Sequence, residues 1–113
     1  MNEYSPDKWL VIKFTDKAYN NKTHYRVFAV WYGGFAGSDS WKLNSGITQV
    51  SMDGDYYLFS GSSGSVYRCR KNSYGTSGYG QGILNGFIKS ADNFTVIEVL
   101  PDTTDFINKD YNE

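Results

Sequence analysis

Apolar residues fall on both alternating sides of two early stretches. In "KWLVIKF" (Lys8 to Phe14), Trp9 and Val11 point to one side of an extended chain, and Leu10, Ile12 and Phe14 to the other. A strand that is apolar on both faces is a central or covered strand. The polar run "DKAYNNKT" (Asp16 to Thr23) then turns the chain. "HYRVFAVWYGG" (His24 to Gly34) is a second strand, again apolar on both faces, and the two read as an antiparallel hairpin. Gly33 to Ser40 reads as loop, and "WKLNSGITQVSM" (Trp41 to Met52) resumes extended character. Asp53-Gly54 signals a tight hairpin, because Asp-Gly readily supplies positive φ, and Asp55 is a candidate for the same loop. "YYLFS" (Tyr56 to Ser60) returns, "GSSG" turns again, and "SVYRCRK" (Ser65 to Lys71) continues as the third strand of a meander.

The glycine-rich run "NSYGTSGYGQG" (Asn72 to Gly82) reads as flexible. In "ILNGFIKS" (Ile83 to Ser90), Ile83 with Phe87 and Leu84 with Ile88 recur at i, i+4, which predicts a short amphipathic helix. "FTVIEVL" (Phe94 to Leu100) is the last strand, with Phe94, Val96 and Glu98 on one face and Thr95, Ile97 and Val99 on the other. Pro101 ends it, since proline cannot donate to a ladder. "DTTDFINKDY" is expected to add one helical turn packed by Phe106 and Ile107. The class is therefore α+β and β-rich: an open or partly rolled antiparallel sheet with one short helix. Exposed sheet edges seek partners, so a homo-oligomer is expected.

A chain of 113 residues is read as one domain spanning 1–113, with 101–113 as an acidic C-terminal tail. An aromatic share of 18% excludes a disordered chain. The lone Cys69 makes no internal disulfide, so nothing requires an oxidising compartment. "MNEYSPDKWL" has no basic region followed by an apolar run, and no stretch approaches the roughly 20 apolar residues of a membrane helix. A soluble cytoplasmic protein without a membrane partner is the expectation. The net charge of -1 gives no general attraction to nucleic acid, which is not expected as a partner. The charge is unevenly spread, with net +3 over Lys22 to Lys71 and -5 over Asp92 to Glu113.

Enzyme signatures are missing. One histidine (His24) and one cysteine cannot make an ordinary zinc site, and no EF-hand spacing, phosphate loop or strand-GxGxxG-helix unit is present. No metal, cofactor or catalytic residue is assigned. The candidate binding groups start with Arg68 and Arg70. On a strand from Ser65 they share a face with Val66, about 7 Å apart, a spacing that suits two oxygens of a phosphate-bearing ligand. Ser63 and Ser65 offer hydroxyls and backbone donors in the preceding turn, and "GYGQG" (Gly78 to Gly82) offers others before the helix. Trp41, Tyr74 and Tyr79 are candidate stacking faces, and Asn44 and Ser45 supply an amide and a hydroxyl. An ordinary solvent face, a core of aromatics and plain turn chemistry explain the same residues without a ligand.

The block "DSWKLNSGI…DGDYYLFSGSSGSVYRC" resembles one in small, uncharacterised proteins of tailed bacteriophages and their prophages, over Lys8 to roughly Tyr74. The resemblance implies a phage accessory or counter-defence protein in the cytoplasm of a bacterial host. Such proteins act by sequestering a nucleotide signal or by occupying a protein surface. The leading expectation is non-catalytic capture of an anionic, nucleotide-like small molecule. The alternatives are a protein–protein inhibitor of a host enzyme or defence complex, and a small nucleotide phosphodiesterase.

Overall fold

The computed structural model describes residues 2–34 and 37–111. The loop expected over Gly33 to Ser40 is thus described except at positions 35 and 36, and positions 112 and 113 of the tail also lie outside. In chain order the elements are β1 (Glu3–Tyr4), β2 (Lys8–Asp16), β3 (Lys22–Trp31), β4 (Ser40–Leu43), β5 (Ile47–Asp53), β6 (Tyr56–Gly61), β7 (Val66–Arg70), α1 (Gly78–Ser90) and β8 (Thr95–Val99). The β-rich α+β class holds, but the strands form two sheets rather than one. A front sheet has the order β1-β7-β6-β5 and a central sheet the order β4-β3-β2-β8. The hairpin β2–β3 and the meander β5–β6–β7 are both present. The pairing of β1 with β7 is parallel.

The extended stretch from Trp41 to Met52 divides between the sheets for a local reason. Asn44 is 2% exposed, and its Oδ1 accepts from the Val27 N–H at 2.8 Å. Its own N–H donates to the Val27 carbonyl at 3.0 Å, so the residue finishes the ladder beside β3. Gly46, at φ 133, then turns the chain off the central sheet, a conformation a side chain rarely adopts. At the next hairpin, Asp55 does belong to the turn, with Gly54 at φ 58 and Asp53 facing Tyr56.

β2 lies between β3 and β8 and is covered on both faces, as its alternation requires. Trp9 and Val11, with Val27 and Ala29, meet Phe59, Tyr67 and Cys69 of the front sheet. Leu10 and Ile12, with Phe28 and Val30, meet Leu84 of α1. The molecule therefore has three layers: front sheet, central sheet and helix.

The helix begins five residues before Ile83. Ser77 caps it, its Oγ accepting from the Gly80 N–H at 3.0 Å. The glycines that read as flexible are its first turns. Gly80 is buried, and a Cβ there would lie 2.0 Å from Thr76 Oγ1 and 2.8 Å from Val30 Cγ2. Absence of a side chain is what lets the helix sit on the central sheet. The C-terminal segment is likewise no free tail. It runs as turns, not the expected helical turn, and places Phe106, 2% exposed, among Trp9, Tyr57 and Tyr74.

Gly80→Ala lowers stability by about 1–3 kcal/mol, the usual cost of overpacking. Gly82→Ala, with no heavy atom within 4 Å of the added carbon, instead raises it by up to about 1 kcal/mol. Opposite shifts of the urea midpoint are the expected readout, and a gain in both would remove the packing argument. Phe106→Ala costs about 3–5 kcal/mol; an unchanged midpoint would mean that the segment is a detached tail.

Candidate functional site

Arg68 and Arg70 do share the outer face of the front sheet. Their cross-strand partners on β6 are Leu58 and Tyr56. Both guanidiniums pack on one ring: Arg68 Cζ is 4.2 Å and Arg70 Cζ 5.1 Å from the centre of Tyr56. Each also has an internal partner. Arg68 makes a 2.7 Å salt bridge to Asp53, and Arg70 donates to the Tyr56 hydroxyl at 2.7 Å. A phosphate arriving here competes with Asp53 for Arg68. Neither arginine lines any of the three clefts described below.

The remaining sequence candidates lie in other places. The 61–64 turn is stitched to the β4–β5 crossing. The Ser62 N–H donates to the Gly46 carbonyl at 2.9 Å, the Ser63 N–H to Ser45 Oγ at 2.9 Å, and Ser45 Oγ to Ser63 Oγ at 3.1 Å. The donors an anion needs are engaged in holding the two loops together. Ser65 closes the same turn, its carbonyl accepting from the Gly61 N–H at 2.8 Å. Asn44 is buried in the ladder role already described. Tyr74 is a core residue. Its hydroxyl donates to the Leu100 carbonyl at 2.5 Å and accepts from the Val11 N–H at 3.2 Å, and burial pushes its pKa up to about 12. Tyr79 is exposed on the first turn of α1. Trp41 packs its ring on Phe28 and Phe87 under the helix.

Trp41 also contributes to a cleft that no sequence pattern marked. About 490 Å³ in volume, it opens at the edge of the molecule between β1 and β4 and is lined by Glu3, Tyr4, Ser5, Trp31, Ser40, Trp41 and Lys42. Its aromatic wall is packed from behind. Tyr4 packs against Tyr67 at 5.2 Å and Trp31 at 6.3 Å, and Trp31 Nε1 donates to the Ser5 carbonyl at 3.0 Å. Lys42 Nζ stands 5.1 Å above the Tyr4 ring and has no carboxylate partner among the described residues. The cleft thus offers aromatic faces, one available cation and the Glu3 carboxylate. Glu3-Tyr4 precedes the first apolar run, so periodicity gave no warning of it. The one local hint was a lysine beside Trp41 in an edge strand.

A third feature surrounds His24. Its ring stacks on Phe14 at 4.9 Å with 5° between planes. It lines a cleft of about 290 Å³ with Asp16, Tyr19, Lys22 and Thr23. Burial lowers the His24 pKa below 6.5, the charge of Arg26 adds to this, and Asp16 opposes it. Cys69 is fully buried and burial pushes its thiol strongly up, so it behaves as a small apolar residue. Among the described residues, no group of three or more His, Cys, Asp or Glu side chains could hold a metal ion. No helix there is long and apolar enough to cross a membrane. Comparisons with family models, with characterised proteins and with solved structures return no match.

The lowered His24 pKa sets a pH dependence. Below 6.5 the unfolded chain takes up a proton that the folded protein resists. The His24 contribution is therefore intact above that pH and is lost as pH falls through the lower folded value. Urea midpoints at pH 7.5 and 5.5 are expected to differ more in the native protein than in His24→Gln. An equal pH loss in both would show that His24 is not the group responsible.

Proposed function

We propose that this protein is a non-catalytic binding protein for an anionic, nucleotide-like small molecule, and that the β1–β4 cleft receives it. The observation that carries this reading is the Lys42 ammonium above the Tyr4 ring, in a cleft of about 490 Å³ that Trp31 also lines. Small-molecule sites are concave and mostly apolar, with a few placed polar groups, and their volumes run from about 300 to 1,000 Å³. A planar base finds stacking faces there, its phosphate finds Lys42, and Glu3 accepts from base or sugar donors. The resemblance to phage accessory proteins supports sequestration of a host nucleotide signal as the purpose. The open edges of both sheets support a homo-oligomer, whose subunit number native mass spectrometry would report.

A second reading draws on the outer face of the front sheet. Tyr56, Arg68 and Arg70 lie there beside half-buried Leu58 and Val66. Arginine and tyrosine dominate the energetics of protein interfaces, so this face suits a protein–protein inhibitor.

Calorimetric titration with a panel of mononucleotides, cyclic nucleotides and ADP-ribose tests the first reading. Lys42→Ala is expected to weaken binding by about 1.5–3 kcal/mol, the worth of a charged hydrogen bond, while Arg70→Ala leaves it unchanged. The reverse pattern would move the site to the arginine face. A panel without any binder, together with a stoichiometric bacterial protein retained at high salt, would replace the first reading with the second.

A further inference from the structure

The helix covers only part of the central sheet. At its C-terminal end a slot of about 340 Å³ is walled by Phe14, Leu43, Phe87 and Ile97, with Ser90, Ala91, Asp92 and Thr95 on its rim. Its walls are apolar, but a charged group stands beside them. Arg26 Cζ lies 5.7 Å from the centre of the Phe14 ring. The residues paired across the sheet in the row of Arg26 are Ile12 and, beyond it, Val99, both apolar. The Arg26 Nε is buried without a hydrogen-bond partner, and no salt bridge holds the guanidinium among the described residues.

Arg26 is half-buried, and the contact that holds its guanidinium within the fold is with the Phe14 ring. A buried donor of a charged group costs free energy until an acceptor reaches it. No described carboxylate pairs with the guanidinium, so an anion in the slot would meet a cation without a salt-bridge partner, and the surroundings restrict the chemistry of that anion. The guanidinium fork matches a carboxylate or a phosphate. The last turn of α1 ends at the slot, and its carbonyl pole disfavours a doubly charged group more than a singly charged one. Asp92 on the rim makes no salt bridge to Arg26, and its Oδ1 accepts from the Phe94 N–H at 2.9 Å. His24, on the Phe14 ring, leans toward its neutral form partly because of the Arg26 charge.

We propose that the slot binds a small apolar carboxylate, with the carboxylate on Arg26 and the apolar body between Phe14, Leu43, Phe87 and Ile97. This site is independent of the β1–β4 cleft and stands whether or not that cleft binds a nucleotide.

The test is an NMR titration of the full chain with octanoate, using octanol and octylammonium as controls of equal length. Octanoate is expected to produce saturable shifts at Phe14, Arg26, Phe87 and Ile97, and the controls to bind about tenfold or more weakly. Arg26→Met is expected to lose affinity by at least about tenfold while its urea midpoint stays equal or rises, because an unsatisfied donor has been removed. Arg26→Gln, which removes the charge and keeps a polar side chain, is expected to lose affinity to a similar degree if Arg26→Met does not fold. Absence of octanoate binding, equal binding of octanol, or native affinity in a folded Arg26 variant would each overturn the proposal.

Discussion

A single indole sits where the parts of this molecule meet. Trp9 is fully buried on β2, and its ring centre lies 4.7 Å from Tyr74, 5.3 Å from Phe59 and 5.5 Å from Phe106. These three rings belong to the lead into the helix, to the front sheet and to the C-terminal segment. A buried indole N–H must find an acceptor. The acceptor here is the Arg70 carbonyl at 2.7 Å, at the end of β7. The Trp9 carbonyl in turn accepts from the Gly75 N–H at 2.9 Å. One residue thus fixes the spacing of the two sheets and the path of the chain toward α1. It also holds β7 from behind, so the Arg68 and Arg70 side chains are displayed on a strand anchored from within.

The parts of this architecture that depend on neighbours along the chain were legible in the sequence. Alternation on both sides of Lys8 to Phe14 marked β2 as a covered strand, and the turn residues at Asp53-Gly54 and Gly61 to Gly64 marked the meander. The less legible parts depend on contacts between layers. The division of Trp41 to Met52 between two sheets rests on the buried Asn44 amide, which in sequence looks like a turn residue. The early start of α1 rests on a glycine chosen for its packing, whereas composition reads glycine as flexibility. Phe106 was expected to pack, but from a helical turn; the segment runs instead as turns, and its path across the core rests on contacts with Trp9, Tyr57 and Tyr74 that lie far away in sequence.

The same distinction explains the sites. Residues singled out by type, such as Ser45, Ser63 and Tyr74, proved to be engaged within the fold, and Asn44 is buried with its Oδ1 on the Val27 N–H and its Nδ2 unpartnered. Lys42 and Arg26, the groups that stand beside clefts, have no motif around them. Each stands where one layer stops short of another: Lys42 at the open edge between the sheets, Arg26 at the end of the helix. A concave surface needs such a boundary. Its chemistry is set by which side chains the two layers happen to leave there, and periodicity within one strand carries no record of that.

The chain order of the two sheets has a consequence for how the molecule closes. β5, β6 and β7 follow one another directly, and each pairs with a neighbour in sequence. They interrupt the central sheet, whose last strand, β8, must come back to β2 across nearly the whole chain, bringing Val99 opposite Ile12. Loop-closure entropy grows with the length of the connection and slows the formation of such distant pairings. The β5–β6–β7 meander is therefore a compact, low-contact-order inset, and the topological burden of the domain falls on the two strands that pair at long range, β8 with β2 and the short β1 with β7. The helix that precedes β8 serves as the return arm, carrying the chain back over the sheet that β8 completes.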